Sequence, residues 1–329
     1  LNQGAYLDQA LCSLFMQRSD DLEIIVVDGG STDGSVEIIK KFAGMFGGER
    51  FWGSGGSAKV RKCESSEVRE LEATANRAND GRSSEVLKCE SSKVCAAELK
   101  KGVHDNFRTL ELANFRTRFL WCSEPDRGQS HAFNKGFARA RGHFLFWLNA
   151  DDLLLPQTLN CLRAYLNEHP SAEWIAGNQI YIDANERILR CSRGNHWHDF
   201  LYRHAPVHVY GPSSFFSRDL WNRGGGADET LRYCMDWDLW LKFRKAGARF
   251  ERLDHYCWAL RRHSGSKTQG GERSKEDIHW QEIHAMCKRN GLNVTFAGIW
   301  TQRMWRLVTG CYIRGLVDTL IWRKKNKVL

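Results

Sequence analysis

The sequence predicts an α/β fold, a mainly parallel sheet flanked by helices, with a helical extension toward the C-terminal end. Three observations carry this expectation. Phe144-Leu-Phe-Trp-Leu148 is a run of five apolar residues that ends abruptly in Asn149, Asp151 and Asp152. Short apolar runs without alternation fit a strand covered on both faces. Residues 22–27 form a second apolar run, which ends in Asp28-Gly-Gly-Ser-Thr-Asp-Gly-Ser35 before a helical pattern at 36–42. Strand, glycine-rich acidic turn and helix make half of a βαβ nucleotide-binding unit. Third, Tyr233-Cys-Met-Asp-Trp-Asp-Leu-Trp-Leu-Lys242 reads as the first turns of a buried helix with acids at its N-terminus.

Lys and Arg outnumber Asp and Glu by 48 to 39 in 329 residues, for a net charge of +9. A chain of this length buries a large core, as one α/β domain or two smaller ones. The basic excess suits phosphate-bearing ligands or an anionic membrane surface. With no arginine-rich tract and no aromatic RNA-binding motif, nucleic acid is not an expected partner. Eleven cysteines, at 12, 63, 89, 95, 122, 161, 191, 234, 257, 287 and 311, are scattered without a C-x-x-C. They read as free thiols of a reducing, cytoplasmic compartment. No signal-peptide pattern is present, and no apolar run reaches the ~18 residues of a membrane span.

The chain starts without methionine at Leu1-Asn-Gln-Gly-Ala-Tyr, so a segment upstream is expected to be missing. Leu7, Leu11, Leu14 and Phe15 recur at helical spacing, which predicts an amphipathic helix over 5–17. The turn after residue 27 is neither a G-x-G-x-x-G fingerprint nor a P-loop. Its glycines let backbone approach a ligand, and Asp28 at the strand tip suits a ribose or base edge. The plainer alternative is a tight turn with Ser31 or Thr32 as a helix cap.

Residues 44–117 change character. Lys62-Cys-Glu-Ser-Ser-Glu-Val68 returns as Lys88-Cys-Glu-Ser-Ser-Lys-Val94, and Asn106-Phe-Arg-Thr109 as Asn114-Phe-Arg-Thr117. Imperfect duplications rich in Ser, Glu and Lys read as an insertion, disordered or partly helical. Order resumes with a short strand at Phe119-Leu-Trp-Cys, the polar loop Ser123-Glu-Pro-Asp-Arg-Gly-Gln-Ser130, and a helix over 132–140 closed by Gly142. Arg127 and Lys135 are candidates to neutralise phosphate, or else solvated surface residues.

Ligands of parallel sheets sit at the carboxyl ends of strands, which is where Asn149, Asp151 and Asp152 stand. Adjacent carboxylates repel, and a Mg²⁺ or Mn²⁺ ion between them would relieve this, with phosphates and water as further ligands. The alternative is that they cap the helix expected near 157–168 after Pro156. Strands are expected at 174–176 and 179–182. His196, His198, His204 and His208 lack zinc-site spacing and read as a loop lining a second-substrate pocket. Asp236, among large aromatics, is a credible general base, although the helix dipole alone favours acids there. Arg261-Arg-His-Ser-Gly-Ser-Lys267 suits diphosphate, or is a generic basic loop.

Val27-Asp-Gly-Gly-Ser-Thr-Asp-Gly-Ser35, Glu124-Pro-Asp-Arg-Gly-Gln-Ser130, Trp147-Leu-Asn-Ala-Asp-Asp152 and Met235-Asp-Trp-Asp-Leu-Trp240, in that order, resemble the inverting family-2 glycosyltransferases. The resemblance implies a GT-A-like fold over 1–43 and 118–268, the insertion at 44–117 and a helical extension at 269–329. It implies a nucleotide-diphosphate-sugar donor, a divalent cation (Mn²⁺ or Mg²⁺) and a glycan or lipid-linked acceptor. Asp28 matches the acid contacting the nucleoside, Asn149-Ala-Asp151 the D-x-D motif with Asp151 as metal ligand, and Asp236 the base. Gly29, Asp126, Arg127, Lys135, Asn149, Asp152, His263 and Lys267 fall in the segments that hold the donor. Gly29 departs from the second acid common in the family, Asn149 from the first acid of D-x-D, and Met235 from a frequent Glu. The family's first strand, which normally precedes Asn-Gln-Gly, is absent, which would expose strand edges. A catalytically inactive nucleotide-sugar or glycan-binding protein is the competing reading, and a metal-dependent phosphohydrolase ranks behind both.

Residues 277–289 read as helical, and Trp300, Met304, Trp305, Leu316 and Leu320 mingle with Arg303, Arg306 and Arg314. This pattern predicts a basic amphipathic helix, either peripheral at the inner face of the plasma membrane or packed on the catalytic domain.

Overall fold

The computed structural model describes residues 1–51, 60–62, 117–205, 209, 211–266 and 273–325. Two sheets organise them. In the first, β1 (Glu23–Asp28), β4 (Arg118–Ser123), β2 (Glu49–Phe51) and β3 (Val60–Lys62) lie side by side in that order. The β1–β4 and β4–β2 pairs are parallel and β2–β3 is antiparallel. β-Branched Ile24, Ile25, Val26 and Val27 fit the pleat. Helices α1 (Gly4–Phe15) and α2 (Ser35–Met45) cover one face, packing Leu7, Leu11, Phe15, Ile39 and Phe42 against Phe119 and Trp121. Both helices start on one carboxylate, since Asp33 accepts from the Gly4 amide at 2.8 Å and the Ser35 amide at 3.1 Å. On the sheet's other side lies α3 (Gln129–Phe137), whose Gly136 lets the helix approach Val27.

The second sheet runs β5 (Phe144–Leu145), β9 (Ser214–Ser217), β7 (Trp174–Asp183), β10 (Phe250–Arg262) and β6 (Leu153–Leu154), with β8 (Ile188–Ser192) also on β7. Only its β7–β10 pair is parallel. The mainly parallel character expected throughout therefore holds for the first sheet alone. Helices α4 (Thr158–Glu168), α5 (Asp199–His204), α6 (Arg218–Gly224) and α7 (Met235–Lys245) surround it. The core between α7 and the sheet is aromatic: Trp240 stacks on Trp147 at 5.8 Å and on Trp174 at 5.2 Å. Such pairs contribute roughly 0.5–1.5 kcal/mol each beyond their burial.

Several boundaries differ from expectation. The 144–148 run is strand only at Phe144–Leu145, and its burial alternates because Leu145 and Trp147 face the aromatic core. The two strands expected at 174–176 and 179–182 are one, β7. The helix expected at 132–140 spans Gln129–Phe137, so Gly142 lies beyond its cap. Residues 49–51, assigned to the insertion, belong to the first sheet, with Phe51 buried beside Leu120 and Cys122. The remaining expectations for the insertion fall mostly outside the described residues.

After β10 come α8 (Arg273–Asn290), α9 (Phe296–Val308) and α10 (Cys311–Lys325). The single basic helix expected here is broken at Gly310, whose φ of 72° ends α9. The cysteines at 12, 122, 161, 191, 234, 257, 287 and 311 are all buried free thiols. Burial pushes the Cys12 and Cys191 thiols up to about 12.

Candidate active site

β1 and β4 end together, with Asp28 in register with Ser123, and the first part of the site lies at this edge. Asp28 Oδ2 accepts from the amides of Gly30 (3.1 Å) and Ser31 (2.9 Å) and from the Ser123 hydroxyl (2.7 Å), while the Ser31 hydroxyl donates to Oδ1. Burial works to raise its pKa, but the two hydroxyls and two amides prevail and hold the carboxyl below its ordinary value. Asp28 thus shapes the glycine turn. Beside it, a Cβ on Gly29 would stand 2.6 Å from Asp126 Oδ2. Asp126 fills the space a second acid at position 29 would take, and its Oδ1 accepts from Gly128 N at 2.9 Å.

Gln129, the first residue of α3, links this loop to the acidic tip by donating to Asn149 Oδ1 at 2.8 Å. Asn149 donates in turn to Asp152 Oδ2 at 2.8 Å, and the Arg261 amide donates to Asp152 Oδ1 at 2.9 Å. Asp152 is 1% exposed. Both its oxygens thus accept hydrogen bonds from within the tip. Burial, and secondarily the Asp151 charge, raise its pKa.

The Asp151 side chain is 20% exposed, and its Oδ2 lies 3.1 Å from His263 Nε2. The Gly265 amide donates to His263 Nδ1 at 3.2 Å, so Nε2 carries the proton and donates to Asp151. His263 orients this carboxylate. Arg261, fully buried at its side chain, donates to the Asp151 carbonyl at 2.9 Å and to Gln9 Oε1 at 2.6 Å. Its guanidinium lies 4.7 Å from the Tyr6 ring centre, and Tyr6 packs against His263. Within the loop expected to suit diphosphate, Arg261 is turned inward, with Glu186 3.7 Å from its guanidinium. Ser13 of α1 and Gln17 just beyond it also clamp the backbone after the acids: Ser13 Oγ accepts from Leu154 N at 3.0 Å, and Gln17 donates to Leu155 O at 3.0 Å.

These donors fit a hard divalent ion. Asp151 offers a partly exposed carboxylate, and such ions take one or two carboxylates with phosphate and water completing the shell. Among the described residues no group of three or more His, Cys, Asp or Glu converges, so a bound ion would depend on ligands from a substrate.

Asp236 sits in the first turn of α7, half-buried, with Trp237 N donating to Oδ1 at 2.8 Å. A Cβ on Gly211 would stand 3.5 Å from Asp236 Oδ2 and 2.6 Å from Trp147. Glycine at 211 thus lets the chain pass between the base candidate and the indole just ahead of the tip. Asp238, the other acid of this turn, is buried and bound by Lys242 at 3.0 Å and Arg289 at 2.5 Å, whereas Asp236 is only half-buried.

Two expected cations are engaged elsewhere. Lys135 is 2% exposed at its side chain and pairs with Glu124 at 2.7 Å. Arg127 is exposed and paired with Glu229. Of the loop histidines, His204 is helical, in α5, and His208 lies outside the described residues, as does Lys267. Sequence reasoning missed Gln129 and Gln9, and also Glu282, which accepts from the amides of residues 232–234 ahead of α7; these roles depend on contacts from distant segments. Only the polar stripe of Gln9, Ser13 and Gln17 could have signalled a second buried face on α1.

The family model described as glycosyl transferase family 2 matches residues 1–55 and 103–221. The hyaluronan synthase of Pasteurella multocida is 22% identical over 181 residues, covering 54% of this chain and 18% of that protein. A PGL/p-HBAD biosynthesis glycosyltransferase of Mycobacterium bovis is 22% identical over 240 residues, covering 73% of this chain and 64% of that one. Among solved structures, Staphylococcus aureus TarS 1-349 in complex with UDP-GlcNAc superposes with a TM-score of 0.52 at 15% identity, over 90% of this chain and 65% of that chain. This chain spans less than two thirds of each of these proteins. The superposition carries the α/β, GT-A-like fold, and with more than half of its residues matched the chain belongs to glycosyl transferase family 2.

Proposed function

We propose that the protein is an inverting glycosyltransferase that moves a sugar from a nucleotide-diphosphate-sugar to an acceptor hydroxyl, with a divalent cation. The observation that carries this reading is the chain of contacts from the Asp28–Asp126 turn through Gln129 and Asn149 to Asp152, the neighbour of Asp151, and from Trp147 past Gly211 to Asp236. On this reading the Asp28 turn takes the nucleoside, Asp151 the cation and Asp236 the role of base. The cation, Mn²⁺ or Mg²⁺ held by Asp151, supplies positive charge against the diphosphate when bound. Asp236 accepts the proton of the acceptor hydroxyl as its oxygen bonds to the anomeric carbon, and the bond from that carbon to the diphosphate breaks with its electron pair leaving on the nucleotide. One displacement inverts the configuration, so no enzyme nucleophile is needed. Asp238, bound by two cations, cannot replace Asp236.

The acceptor we infer is a glycan or lipid-linked glycan, made at the cytoplasmic side during cell-surface polysaccharide or lipopolysaccharide synthesis. The polymer synthase and the UDP-GlcNAc complex among the similar proteins support the donor class and the pathway. We further infer a discontinuous catalytic domain, with the matched segments of the family flanking an insertion.

Calorimetry with UDP and GDP, with and without Mn²⁺, tests the reading. Metal-dependent binding is expected, lost in Asp151→Ala. Asp236→Asn is expected to keep donor binding and lower kcat by about 10²–10⁴-fold. Unchanged turnover would remove Asp236 from the mechanism, and Mn²⁺-dependent affinity undiminished in Asp151→Ala would remove the ion from that carboxylate.

A further inference from the structure

The two C-terminal helices are turned inside out relative to ordinary surface helices. Along one stripe α9 buries Gly298, Gln302 and Arg306, and α10 buries Cys311, Gly315 and Thr319 together with Trp322. Their outward faces carry Phe296 (78% exposed) and Val308 (77%), with Trp300, Ile313, Leu316 and Leu320 also exposed. A surface helix normally does the reverse, apolar side inward.

The orientation is fixed by the polar side. A Cβ on Gly298 would fall 1.9 Å from the His204 carbonyl, so only glycine lets α9 sit so close to α5. Arg306 donates to the Arg193 carbonyl at 3.1 Å. On α10, Asp318 binds Arg193 and the Tyr256 hydroxyl, each at 2.6 Å, and the Thr319 hydroxyl accepts from Cys191 N at 2.9 Å. Turning either helix to bury its apolar side would break these bonds. The exposed face is therefore a property of the fold.

Charge identifies what covers it. From 296 to 325 the sole acid is Asp318, which is engaged internally, while Arg303, Arg314 and Lys324 are exposed. A second copy would bring cations against cations with no acid to pair them. Anionic phosphate headgroups answer both the charge and the apolar surface between the charges. Helices of 13 and 15 residues fall short of the ~20 that span a bilayer. Among the described residues none is long and apolar enough to cross one.

We propose that the outward face of α9 and α10 seats this protein on an anionic lipid bilayer, with Trp300, Ile313 and Leu316 entering the headgroup–acyl boundary and Arg303 and Arg314 on lipid phosphates. The test is co-sedimentation of the full chain with vesicles of phosphatidylcholine, alone or mixed with phosphatidylglycerol. Wild type is expected to partition onto the mixed vesicles well above the neutral ones. Leu316→Glu, at an exposed position, should abolish this with unchanged thermal unfolding. Arg303→Gln with Arg314→Gln should lower partitioning on the mixed vesicles about 30-fold, at about 1 kcal/mol per cation, and leave neutral vesicles unaffected. Equal partitioning onto both compositions, binding to neither, or dimers in solution that Leu316→Glu dissociates while vesicles remain unbound would overturn the proposal.

Discussion

Gly29 and Asp126 are complementary, since the missing side chain of one makes room for the carboxylate of the other. Gly29→Asp would press a second carboxylate onto Asp126, combining overpacking with like-charge repulsion. A loss of about 1–3 kcal/mol is expected from denaturant titration, with most of it recovered in the double variant carrying Asp126→Gly. Failure of the second change to restore stability would show that the two do not meet. Asp28 makes a pH prediction. Its carboxyl is held below the ordinary value, so the ionised form stabilises the fold in full above the unfolded pKa of about 3.9 and less as pH falls through that range. Asp28→Asn should therefore flatten the decline of Tm between about pH 5 and pH 3, and an unchanged slope would count against it. Asp28, Asp151 and Asp236 were legible as acids because each follows an apolar run or opens a helix pattern. Arg261 was not, because its burial is decided by Tyr6 and Gln9 from the opposite end of the chain.

At the scale of elements, α8 holds the turn that presents Asp236. Glu282 accepts from three successive amides, Arg232 and Tyr233 at 2.7 Å and Cys234 at 3.2 Å, just ahead of α7. Arg289, two turns on, binds Asp228 and Asp238, and Met286 and Cys287 pack against Trp237 and Leu241. A carboxylate at a helix N-terminus also meets the positive end of the dipole. Glu282→Ala is expected to cost about 1.5–3 kcal/mol in stability and to lower kcat with donor KM nearly unchanged. A proportional rise in KM alone would place Glu282 on the donor side instead. The helix itself was readable from its sequence, expected at 277–289 and found at Arg273–Asn290. Its attachment was not, since Glu282 gives no periodic signal and its partners are backbone amides some fifty positions earlier. The apolar run at 144–148 misled for a related reason: apolar composition marks burial, and strand pairing stops after Leu145 although Trp147 stays buried, stacked on Trp240.

For the whole molecule, two sheets meet the same rim, and each contributes one half of the site. The first supplies the Asp28 turn, and the second, through β10, anchors the Asp151 tip by way of Arg261. α1 joins them, with its apolar side on β4 and its polar side on the backbone of residues 154–155. Motif order in the sequence was enough to expect acids at the ends of β1 and of the 144–148 run. The division into two sheets was not foreseen, because pairing partners across a long chain leave no local pattern. The segment between β2 and β4 is expected to be dispensable to this assembly. These neighbouring strands are parallel, and a parallel connection needs about a dozen residues. Deleting 53–105 leaves residue 52 and residues 106–117 between Phe51 and Arg118, enough to make that crossing. It removes β3, whose only partner among the described strands is β2 at the sheet's edge. The shortened chain is expected to unfold in one cooperative transition within a few degrees of the parent by calorimetry, with UDP affinity in Mn²⁺ unchanged. A shortened chain that fails to unfold cooperatively would make residues 53–105 part of the catalytic body instead of an insertion within it.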